Sequence, residues 1–589
     1  MCGISGEVRF DTQPVEVERL EKMNAALVLR GPDDGGIFSL GSRGFAHRRL
    51  KIMDLSLQSQ QPMLDVYLGL GVVFNGALYN HRALRAELEL MGYRFFSSGD
   101  TEVILKAYHA WGIDGVKRFD GMFAFALWER DSGKTILCRD RLGIKPLYFT
   151  HDARRLRFAS TLPALLAAGD VDTHIDPRAL NFYLNFHAVV PAPYTILSGI
   201  QKLPPASYAV LEPDGRLQTH SYWSLSFMQQ DTASLTTFEA YQEALLEALR
   251  AAVRRRLVAA VDVGVLLSGG VDSSLLVGLM AEAGVERLKT YSVGFETVNG
   301  LKGDEFTYSD LVARHFDTDH HKISVSSEAL LSALPDAITA MSEPMVSHDC
   351  IGFYLLSQAV SRTCRAVQSG QGADEVFGGY HWYRAMASSA PFESYRKAFF
   401  DRDYNEYQKT VSAEYGVNDI AGQFVQQHFD AIQTPCGIDK ALHLDTTVML
   451  VDDPVKRVDN MTMAWGLEAR VPYLDHHLVE FAAQIPADFK VSGEGKMILK
   501  EAARSVIPAA VIDRPKGYFP VPALTYLRGH VLTYVQDALT NAAAQKRGLF
   551  QRAYLNRLLS APEEHITPLR GSKLWQLGLL ELWLQSMNI

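Results

Sequence analysis

The sequence predicts an α/β protein, α+β overall, with two domains. Its 589 residues exceed what one hydrophobic core supports, because single cores stop growing at about 250–300 residues. Short apolar runs alternate with glycine-rich turns over residues 1–150, which indicates a sheet-rich domain. From residue 236 onward strands alternate with helices, a pattern typical of a doubly wound parallel sheet. We therefore expect a first domain over residues 1–210 and a second over residues 230–589.

Local patterns predict the elements of the first domain. The apolar runs FAFALW (123–128) and TILC (135–138) are typical of buried strands. Residues 81–93 and 101–112 have the apolar spacing of amphipathic helices. Four prolines fall within residues 189–208, so we predict that this segment connects the two domains.

The second domain begins with a helix and continues as alternating strands and helices. The predicted elements are a helix at 237–258, a strand, turn and helix at 263–284, a strand at 288–295, a helix at 309–316 and a strand at 321–325. The paired histidines of DTDHHK (317–322) are predicted to start that last strand rather than to bind a metal ion, since no third ligand follows at suitable spacing. After residue 380 the chain is predicted to be mostly helical.

Composition excludes several classes of protein. With 58 basic and 67 acidic residues the net charge is −9, which argues against nucleic acid as a partner because such binding needs a basic surface. Five cysteines without a C-x-x-C pair predict free thiols in a reducing compartment. The sequence shows no run of about 18 apolar residues and no signal-peptide pattern at its start. We expect a cytoplasmic protein that does not contact a membrane.

Cys2 becomes the first residue if the initiator methionine is removed. Its thiol would then stand beside a free α-amine, whose reference pKa of about 8 is close enough to neutrality for it to act as a base. Taken alone, this cysteine is better explained as a small apolar residue at the start of a strand. The rest of the first domain changes that interpretation.

Seven motifs follow one another along the first domain. They are MCGISG (1–6), RGPDDGG (30–36), AHRRLKIMDLS (46–56), FNGALYN (74–80), SGDTEV (98–103), GMFAFALW (121–128) and RDRLGIKPLY (139–148). In this order they resemble class II glutamine amidotransferase domains, above all those of glutamine-dependent asparagine synthetases; any single motif would be weak. The resemblance implies an N-terminal-nucleophile α/β/β/α sandwich. It also implies hydrolysis of glutamine to glutamate and ammonia through a thioester on Cys2.

The same resemblance implies a glutamine site in this domain. Arg49 would bind the α-carboxylate, for which a planar guanidinium is suited, and Asp100 would bind the α-ammonium. The Asn75 side chain and the Gly76 backbone N–H would form an oxyanion hole. Read alone, Asn75-Gly76 favours a hairpin turn. Arg48, next to Arg49, leaves the choice of cation open.

A second set of motifs indicates ATP chemistry. LLSGGVDSS (266–274) places a Gly/Ser turn between a strand and a helix, where backbone N–H groups favour an anion. It lacks the Walker pattern and resembles the pyrophosphate loop of ATP pyrophosphatases, which form acyl-adenylates. The alternative is a strand-to-helix turn that has only a structural role. The ATP-binding residues that the resemblance implies are Leu266, Ser268, Gly269, Gly270, Asp272, Ser273, Ser274, Val293, Gly294, Ser369, Gly370 and Lys496. The implied ligands of Mg²⁺, which would accompany ATP, are Asp272 and Asp374.

The C-terminal half carries further motifs of this family. Lys496 lies in the segment that matches the family's catalytic lysine, so it would stabilise charge on the α-phosphate. Asp459, Glu468 and Arg470 belong to a long signature and are predicted to form a structural ion-pair network. DRPKGYFPVP (513–522) resembles the last conserved element of the family.

The residues expected to contact the acceptor substrate differ from those of the family. SGQGADEVFGGY (369–380) has Gln371 where most relatives carry an acid, and a neutral amide cannot hold an ammonium group by charge. His348, in EPMVSHDCIGFY (343–354), indicates a different or larger acceptor pocket. QGADEVFGGYHWYR (371–384) resembles the subfamily that forms N-acetylglutaminylglutamine amide. We therefore expect a blocked peptide carboxylate as the acceptor rather than aspartate.

The leading hypothesis is a carbon–nitrogen ligase that takes glutamine, ATP with Mg²⁺ and an acceptor carboxylate, and that converts ATP to AMP and pyrophosphate. Within this class the alternative is an asparagine synthetase. A lactam-forming synthetase is a further alternative, although such relatives often lose the N-terminal cysteine. A non-catalytic glutamine or nucleotide sensor is disfavoured by the intact Cys2, Asp272, Asp374 and Lys496. The resemblance leaves a homodimer open.

Overall fold

The computed structural model describes residues 2–227, 235–297, 303, 306–514 and 527–589. Most of the motif predicted at 513–522 therefore lies outside the described residues. Within these ranges, no helix combines the length and the apolar character that crossing a membrane requires.

The first domain is built around two antiparallel sheets. Its strands are β1 Gly3–Arg9, β2 Asp34–Leu40, β3 Arg43–Arg49, β4 Met63–Asp65, β5 Leu70–Leu78, β6 Gly121–Glu129, β7 Thr135–Arg139, β8 Tyr148–His151, β9 Arg155–Ala159, β10 Gln201–Lys202, β11 Ser207–Leu211 and β12 Leu217–Ser221. Among the described residues each sheet has six strands, in the orders β10-β8-β9-β1-β3-β2 and β12-β11-β7-β6-β5-β4. Ile4 and Phe45 of one sheet pack with Val73 and Ala124 of the other to form the core between them.

Helices cover the outer faces of these sheets. They are α1 Val17–Ala25, α2 His81–Leu90, α3 Thr101–Trp111, α4 Leu162–Ala167 and α5 Pro177–Asn185. The first helix packs on β1 and β3, whereas α3 packs on β5 of the other sheet. The layers thus run helix, sheet, sheet, helix, which confirms the predicted α/β/β/α sandwich and the helices predicted near residues 81 and 101.

Strand pairing of the first domain continues past residue 210. The last strand, β12, pairs with β11, which itself joins the sheet beside β7. Part of the segment 189–208, predicted as a connection, therefore belongs to the sheets as β10 and the start of β11. The SYAVL run that follows the prolines alternates between buried and half-buried side chains, which suits a strand of a sheet.

The second domain contains a parallel sheet. Its strands are β13 Val263–Leu266, β14 Lys289–Phe295, β15 Asp319–Val325, β16 Ala366–Gln368 and β17 Glu468–Arg470. In the described part of the chain they form the order β15-β14-β13-β16-β17, with parallel pairing throughout. The predicted doubly wound sheet is confirmed, and β15 begins within DTDHHK, as expected. The short β17 interrupts the region that was predicted to be mostly helical.

Helices flank this sheet and make up most of the remaining chain. The first of them are α6 Phe238–Arg255, α7 Val271–Glu282, α8 Phe306–His315, α9 Ser327–Thr339, α10 Asp349–Val360, α11 Ala373–Phe377, α12 Pro391–Phe399, α13 Tyr404–Thr410, α14 Ile420–Ala431 and α15 Gly437–Leu444. They continue with α16 Lys456–Met463, α17 His476–Gln484, α18 Ala487–Val491, α19 Met497–Ala503 and α20 Ala509–Ile512. The described helices that complete the chain are Gly529–Thr540, Ala542–Arg547, Arg552–Ser560 and Lys573–Ser586.

Candidate active sites

The first candidate site surrounds Cys2, which directly precedes β1. The backbone N–H of Cys2 donates a hydrogen bond to Asn75 Oδ1 over 3.0 Å. Because Asn75 lies on β5, this bond joins the two sheets at the position of the thiol. Burial raises the pKa of the Cys2 thiol, so a nearby base is needed to make the thiolate.

Asn75 and Gly76 lie inside β5, where they pair with Ala124 and Phe123 of β6. The hairpin turn that their sequence favours by itself is therefore wrong, since pairing with β6 overrides it. A Cβ at Gly76 would come within 2.2 Å of Met122 O, so the close strand approach requires glycine. Among the described residues, Asn75 Nδ2 is buried without a hydrogen-bond partner, which leaves a donor available for an oxyanion.

Arg49 lines the same cavity as Cys2. Its Nη atoms donate to the carbonyl oxygens of Asp54 over 2.7 Å and of Ser56 over 2.8 Å, which fixes the orientation of the guanidinium. Arg48 precedes it on β3, and its Nε donates instead to a carbonyl of α1. Because side chains alternate along a strand, only one of the two arginines faces the cavity.

Asp100 and Glu468 complete the charged wall of this cavity. Asp100 is buried and accepts a hydrogen bond from the backbone N–H of Leu78 over 2.9 Å, and burial raises its pKa. Glu468 comes from the second domain and accepts a hydrogen bond from Arg470 Nε over 2.6 Å. Burial would raise the pKa of Glu468, but neighbouring positive charges, Arg470 among them, lower it to about 2. The motifs placed this glutamate in an ion-pair network and gave no sign that it also lines the cavity of Cys2.

Buried ion pairs join the two domains next to the nucleophile. Asp459 of α16 contacts Arg30 over 2.8 Å and Lys145 over 3.1 Å, both in the first domain. The Nε of Arg30 also donates to the carbonyl oxygen of Cys2 over 3.3 Å. Of the predicted ion-pair network, Glu468 and Arg470 pair with each other, whereas Asp459 pairs across the domain junction instead. These charges are nearly inaccessible to water.

A second cluster of buried charges extends this junction. Lys202 of the first domain lies 3.1 Å from Glu343 and 2.5 Å from Asp452 of the second. Lys456 is 3.5 Å from both acids, and the Tyr148 hydroxyl donates to Glu343 over 3.2 Å. A small cavity of about 10 Å³ lies beside these side chains. The junction is therefore polar and closely packed.

The second candidate site is a cavity of about 270 Å³ beside the carboxyl ends of the parallel strands, where doubly wound sheets bind ligands. The predicted residues that line it are Leu266, Ser268, Gly270, Asp272, Ser273, Val293, Ser369, Gly370, Gln371, Asp374 and Lys496. Gly269, Ser274 and Gly294 were also predicted to bind ATP, but they are not among the described residues that line this cavity. Gly269 instead shapes the turn, with φ of +77°, and Gly294 alternates with Val293 along β14.

The loop between β13 and α7 is folded onto itself by its own serines. The Ser273 hydroxyl accepts a hydrogen bond from the backbone N–H of Ser268 over 3.1 Å and lies 3.0 Å from its hydroxyl. The backbone N–H of Gly270 donates to Ser268 Oγ over 3.3 Å. The Tyr473 hydroxyl donates to the carbonyl oxygen of Asp272 over 3.0 Å. These bonds stabilise a turn of the kind whose backbone N–H groups bind phosphate.

Lys496 lies between the two predicted metal ligands. Its ammonium nitrogen is 2.7 Å from Asp272 Oδ2 and 2.9 Å from Asp374 Oδ1. Burial opposes the charge of Lys496, yet the two carboxylates raise its pKa above the ordinary range. A pair of carboxylates that converges on one cation suits Mg²⁺, which prefers hard oxygen ligands. The donor set therefore fits the metal ion that the sequence implied.

Asp349, Phe353, Gln371, Glu375 and Tyr380 also line this cavity. The Tyr380 hydroxyl donates to Glu375 Oε1 over 2.6 Å. Burial raises the pKa of Glu375 to about 7 and also raises the pKa of Asp349. Glu375 can therefore offer a protonated carboxyl group near neutral pH.

His348 takes a different position from its neighbour Asp349. It is not among the described residues that line the cavity. Its ring packs edge-on against Trp575 with centroids 5.6 Å apart, and burial lowers its pKa to about 4. Sequence reasoning pointed to the right segment, but Asp349 and Phe353 of α10 are the side chains that reach the cavity.

The family profile described as asparagine synthase matches residues 244–585, which is more than half of the chain. The chain belongs to the asparagine synthase family. A second profile, described as a glutamine amidotransferase domain, matches residues 1–223. Members of this family are carbon–nitrogen ligases that depend on glutamine and use ATP, and this chain is one of them.

Known relatives match most or all of the length of this family member. Glutamine-hydrolyzing asparagine synthetase 1 of Bacillus subtilis is 29% identical over 632 residues, which covers 100% of this chain and 97% of the relative. Glutamine-hydrolyzing asparagine synthetase 3 of the same organism is 30% identical and covers 88% of this chain and 87% of the relative. Amidase chry2 of Gibberella zeae is 28% identical, with 93% of both chains covered.

Proposed function

We propose that the chain transfers ammonia from glutamine to an ATP-activated acceptor carboxylate, and that the acceptor is a blocked dipeptide such as N-acetylglutaminylglutamine. The observation that carries the choice of acceptor is Gln371 in the wall of the ATP cavity. At this position most of the family has an acid, and an acid is what a free aspartate would need for its ammonium group.

The first half-reaction takes place at Cys2. After removal of Met1, the α-amine accepts the thiol proton and the thiolate attacks the amide carbon of glutamine. The side chain of Asn75 and the N–H of Gly76 donate to the oxyanion. Collapse of the tetrahedral species releases ammonia and leaves a thioester, which water hydrolyses to glutamate. Arg49 and Asp100 bind the α-carboxylate and the α-ammonium of the substrate.

The second half-reaction takes place in the 270 Å³ cavity. An oxygen of the acceptor carboxylate attacks the α-phosphorus of ATP, pyrophosphate leaves, and ammonia then displaces AMP from the acyl-adenylate. The ammonium of Lys496 stabilises the negative charge that develops on the α-phosphate. Asp272 and Asp374 would hold Mg²⁺, which supplies charge neutralisation on the pyrophosphate when bound.

The domain junction supports internal transfer of ammonia. Glu468 of the second domain forms part of the Cys2 cavity, and Asp459 lines the small junction cavity together with Tyr148 and Lys202. Ammonia released at Cys2 therefore emerges against the second domain. A closely packed polar junction would limit its loss to water.

Glu375, which lines the same cavity as Gln371, is consistent with an acceptor that carries no ammonium group. Burial raises the pKa of Glu375 to about 7, so its carboxyl carries a proton for part of the time near pH 7. A protonated carboxyl donates a hydrogen bond to a peptide carbonyl. Gln371 offers both a donor and an acceptor to an amide. These two side chains suit the peptide and acetamide groups of a blocked dipeptide.

This proposal is tested by measuring the release of pyrophosphate with each candidate acceptor. The purified enzyme is given ATP, Mg²⁺, glutamine and either N-acetylglutaminylglutamine or aspartate, the alternative acceptor that the names of its relatives suggest. We expect release with the dipeptide, and we expect Gln371→Glu to reduce it. The matched control Gln433→Glu makes the same charge change at an exposed position and should behave like the wild type. Rapid amide formation on aspartate alone would overturn the choice of acceptor.

A further inference from the structure

A cluster of metal-ligand side chains lies at the domain junction, outside both candidate active sites. His477 Nε2 is 3.3 Å and His476 Nε2 is 3.6 Å from Asp120 Oδ1. Ligand atoms of the three residues all lie within 4.8 Å of one another. Within the described ranges, this is the one group of three or more such side chains close enough to hold a metal ion.

The three residues come from opposite sides of the junction. Asp120 directly precedes β6 in the first domain, and the histidines are the first two residues of α17 in the second. The backbone N–H of Asp120 donates to Asn80 Oδ1 over 3.1 Å, and the Tyr79 N–H donates to its carbonyl oxygen over 2.7 Å. These bonds fix the position of the aspartate backbone. An ion bound here would therefore contact both domains at once.

The chemistry of the three side chains suits a metal ion. Two imidazoles and a carboxylate form a ligand set typical of zinc and similar ions.

Neighbouring charges do not prevent this binding. Arg255 belongs to α6, and its Nη2 is 2.7 Å from Asp475 Oδ1. Arg256 is 2.7 Å from Asp475 Oδ2. The Nη atoms of Arg141 donate to backbone carbonyls, including that of Phe119. Asp475 thus offsets much of the positive charge next to the histidines.

We propose that Asp120, His476 and His477 bind a divalent transition metal ion such as Zn²⁺ across the domain junction, with water in the remaining coordination positions. His477 is half-exposed, so the ion has a route from solvent. Binding joins the segment before β6 to the start of α17. Metal occupancy would therefore stabilise the docked arrangement of the two domains.

Titration of the full-length enzyme with Co²⁺, a spectroscopic substitute for Zn²⁺, tests the site. Excess Mg²⁺ is present so that the carboxylates near Lys496 do not compete. The variants are Asp120→Asn and His477→Ala, with His174→Ala as the matched control. His174 is an exposed histidine whose Nδ1 lies 2.5 Å from Asp172 Oδ1 and which belongs to no such three-residue group among the described residues.

We expect the wild type and His174→Ala to bind one Co²⁺ with absorption bands of nitrogen and oxygen ligands. Asp120→Asn and His477→Ala should each bind at least ~10-fold more weakly, while their circular dichroism and glutaminase rates stay at the wild-type level. Equal binding by all four proteins would overturn the proposal. So would sulfur charge-transfer bands, which would identify a cysteine site instead.

Discussion

A methyl group added at Gly379 would test whether Lys496 and its two carboxylates act as one unit. An ideal Cβ at this position would lie 2.0 Å from Asp374 Oδ1 and 2.6 Å from Lys496 Cε. Ordinary contacts between such atoms are about 3.5 Å, so both side chains must move by about 1 Å. A displacement of this size costs about 100-fold in rate when the groups are catalytic, which corresponds to about 2.7 kcal/mol of activation free energy.

The assay compares two activities of the same Gly379→Ala protein. Acceptor-dependent pyrophosphate release should fall about 100-fold, whereas glutamate formation at Cys2 should change less than about twofold, because that site lies in the other domain. The control Gly571→Ala adds a methyl whose nearest neighbour is 3.3 Å away and should leave both rates unchanged. Pyrophosphate release within about threefold of wild type by Gly379→Ala would refute the reasoning.

Three further predictions concern the nucleophile, the junction and the core. Cys2→Ala should abolish synthesis from glutamine but retain synthesis from added ammonium, and loss of both would contradict the assigned role. Asp459→Asn leaves Arg30 and Lys145 buried without their carboxylate and should lower the free energy of unfolding by about 3–5 kcal/mol in urea titrations; a change below about 1 kcal/mol would contradict it. Burial raises the pKa of Asp445 to about 7, so its carboxyl stays protonated in the folded state while it ionises in the unfolded chain. The wild type should therefore lose up to roughly 4 kcal/mol relative to Asp445→Asn as the pH rises from about 4 to 7, whereas parallel stability curves would argue against the shift.

Much of the fold was predictable because its signals are local. The strand, turn and helix at 263–284 follow from an apolar run, a Gly/Ser turn and a second apolar run. The three-residue strand β17 was not predictable, since its position is set by pairing with β16 rather than by periodicity. Asn75-Gly76 shows the reverse case: a strong local preference for a turn yields to pairing with β6.

The candidate sites were predictable to the extent that motifs carry them. The motifs identified Cys2, Arg49 and Asp100, which share one cavity. They did not identify Glu468 as a lining residue of that cavity. Its position there depends on how the two domains pack together, which no local sequence pattern indicates. On the acceptor side, His348 and Asp349 are adjacent, and successive side chains near a helix start point about 100° apart. Only the three-dimensional path of the chain decides which of them faces the cavity.

The fate of labelled nitrogen tests the central claim most directly. The enzyme is given ATP, Mg²⁺, glutamine labelled with ¹⁵N in its amide, unlabelled ammonium, and equal amounts of aspartate and N-acetylglutaminylglutamine. Mass spectrometry of the products should find ¹⁵N in the amide of the blocked dipeptide. The unlabelled ammonium in solution should lower the ¹⁵N fraction of this amide only slightly. Label found only in asparagine would contradict the proposed acceptor, and unlabelled amide would contradict internal transfer from Cys2.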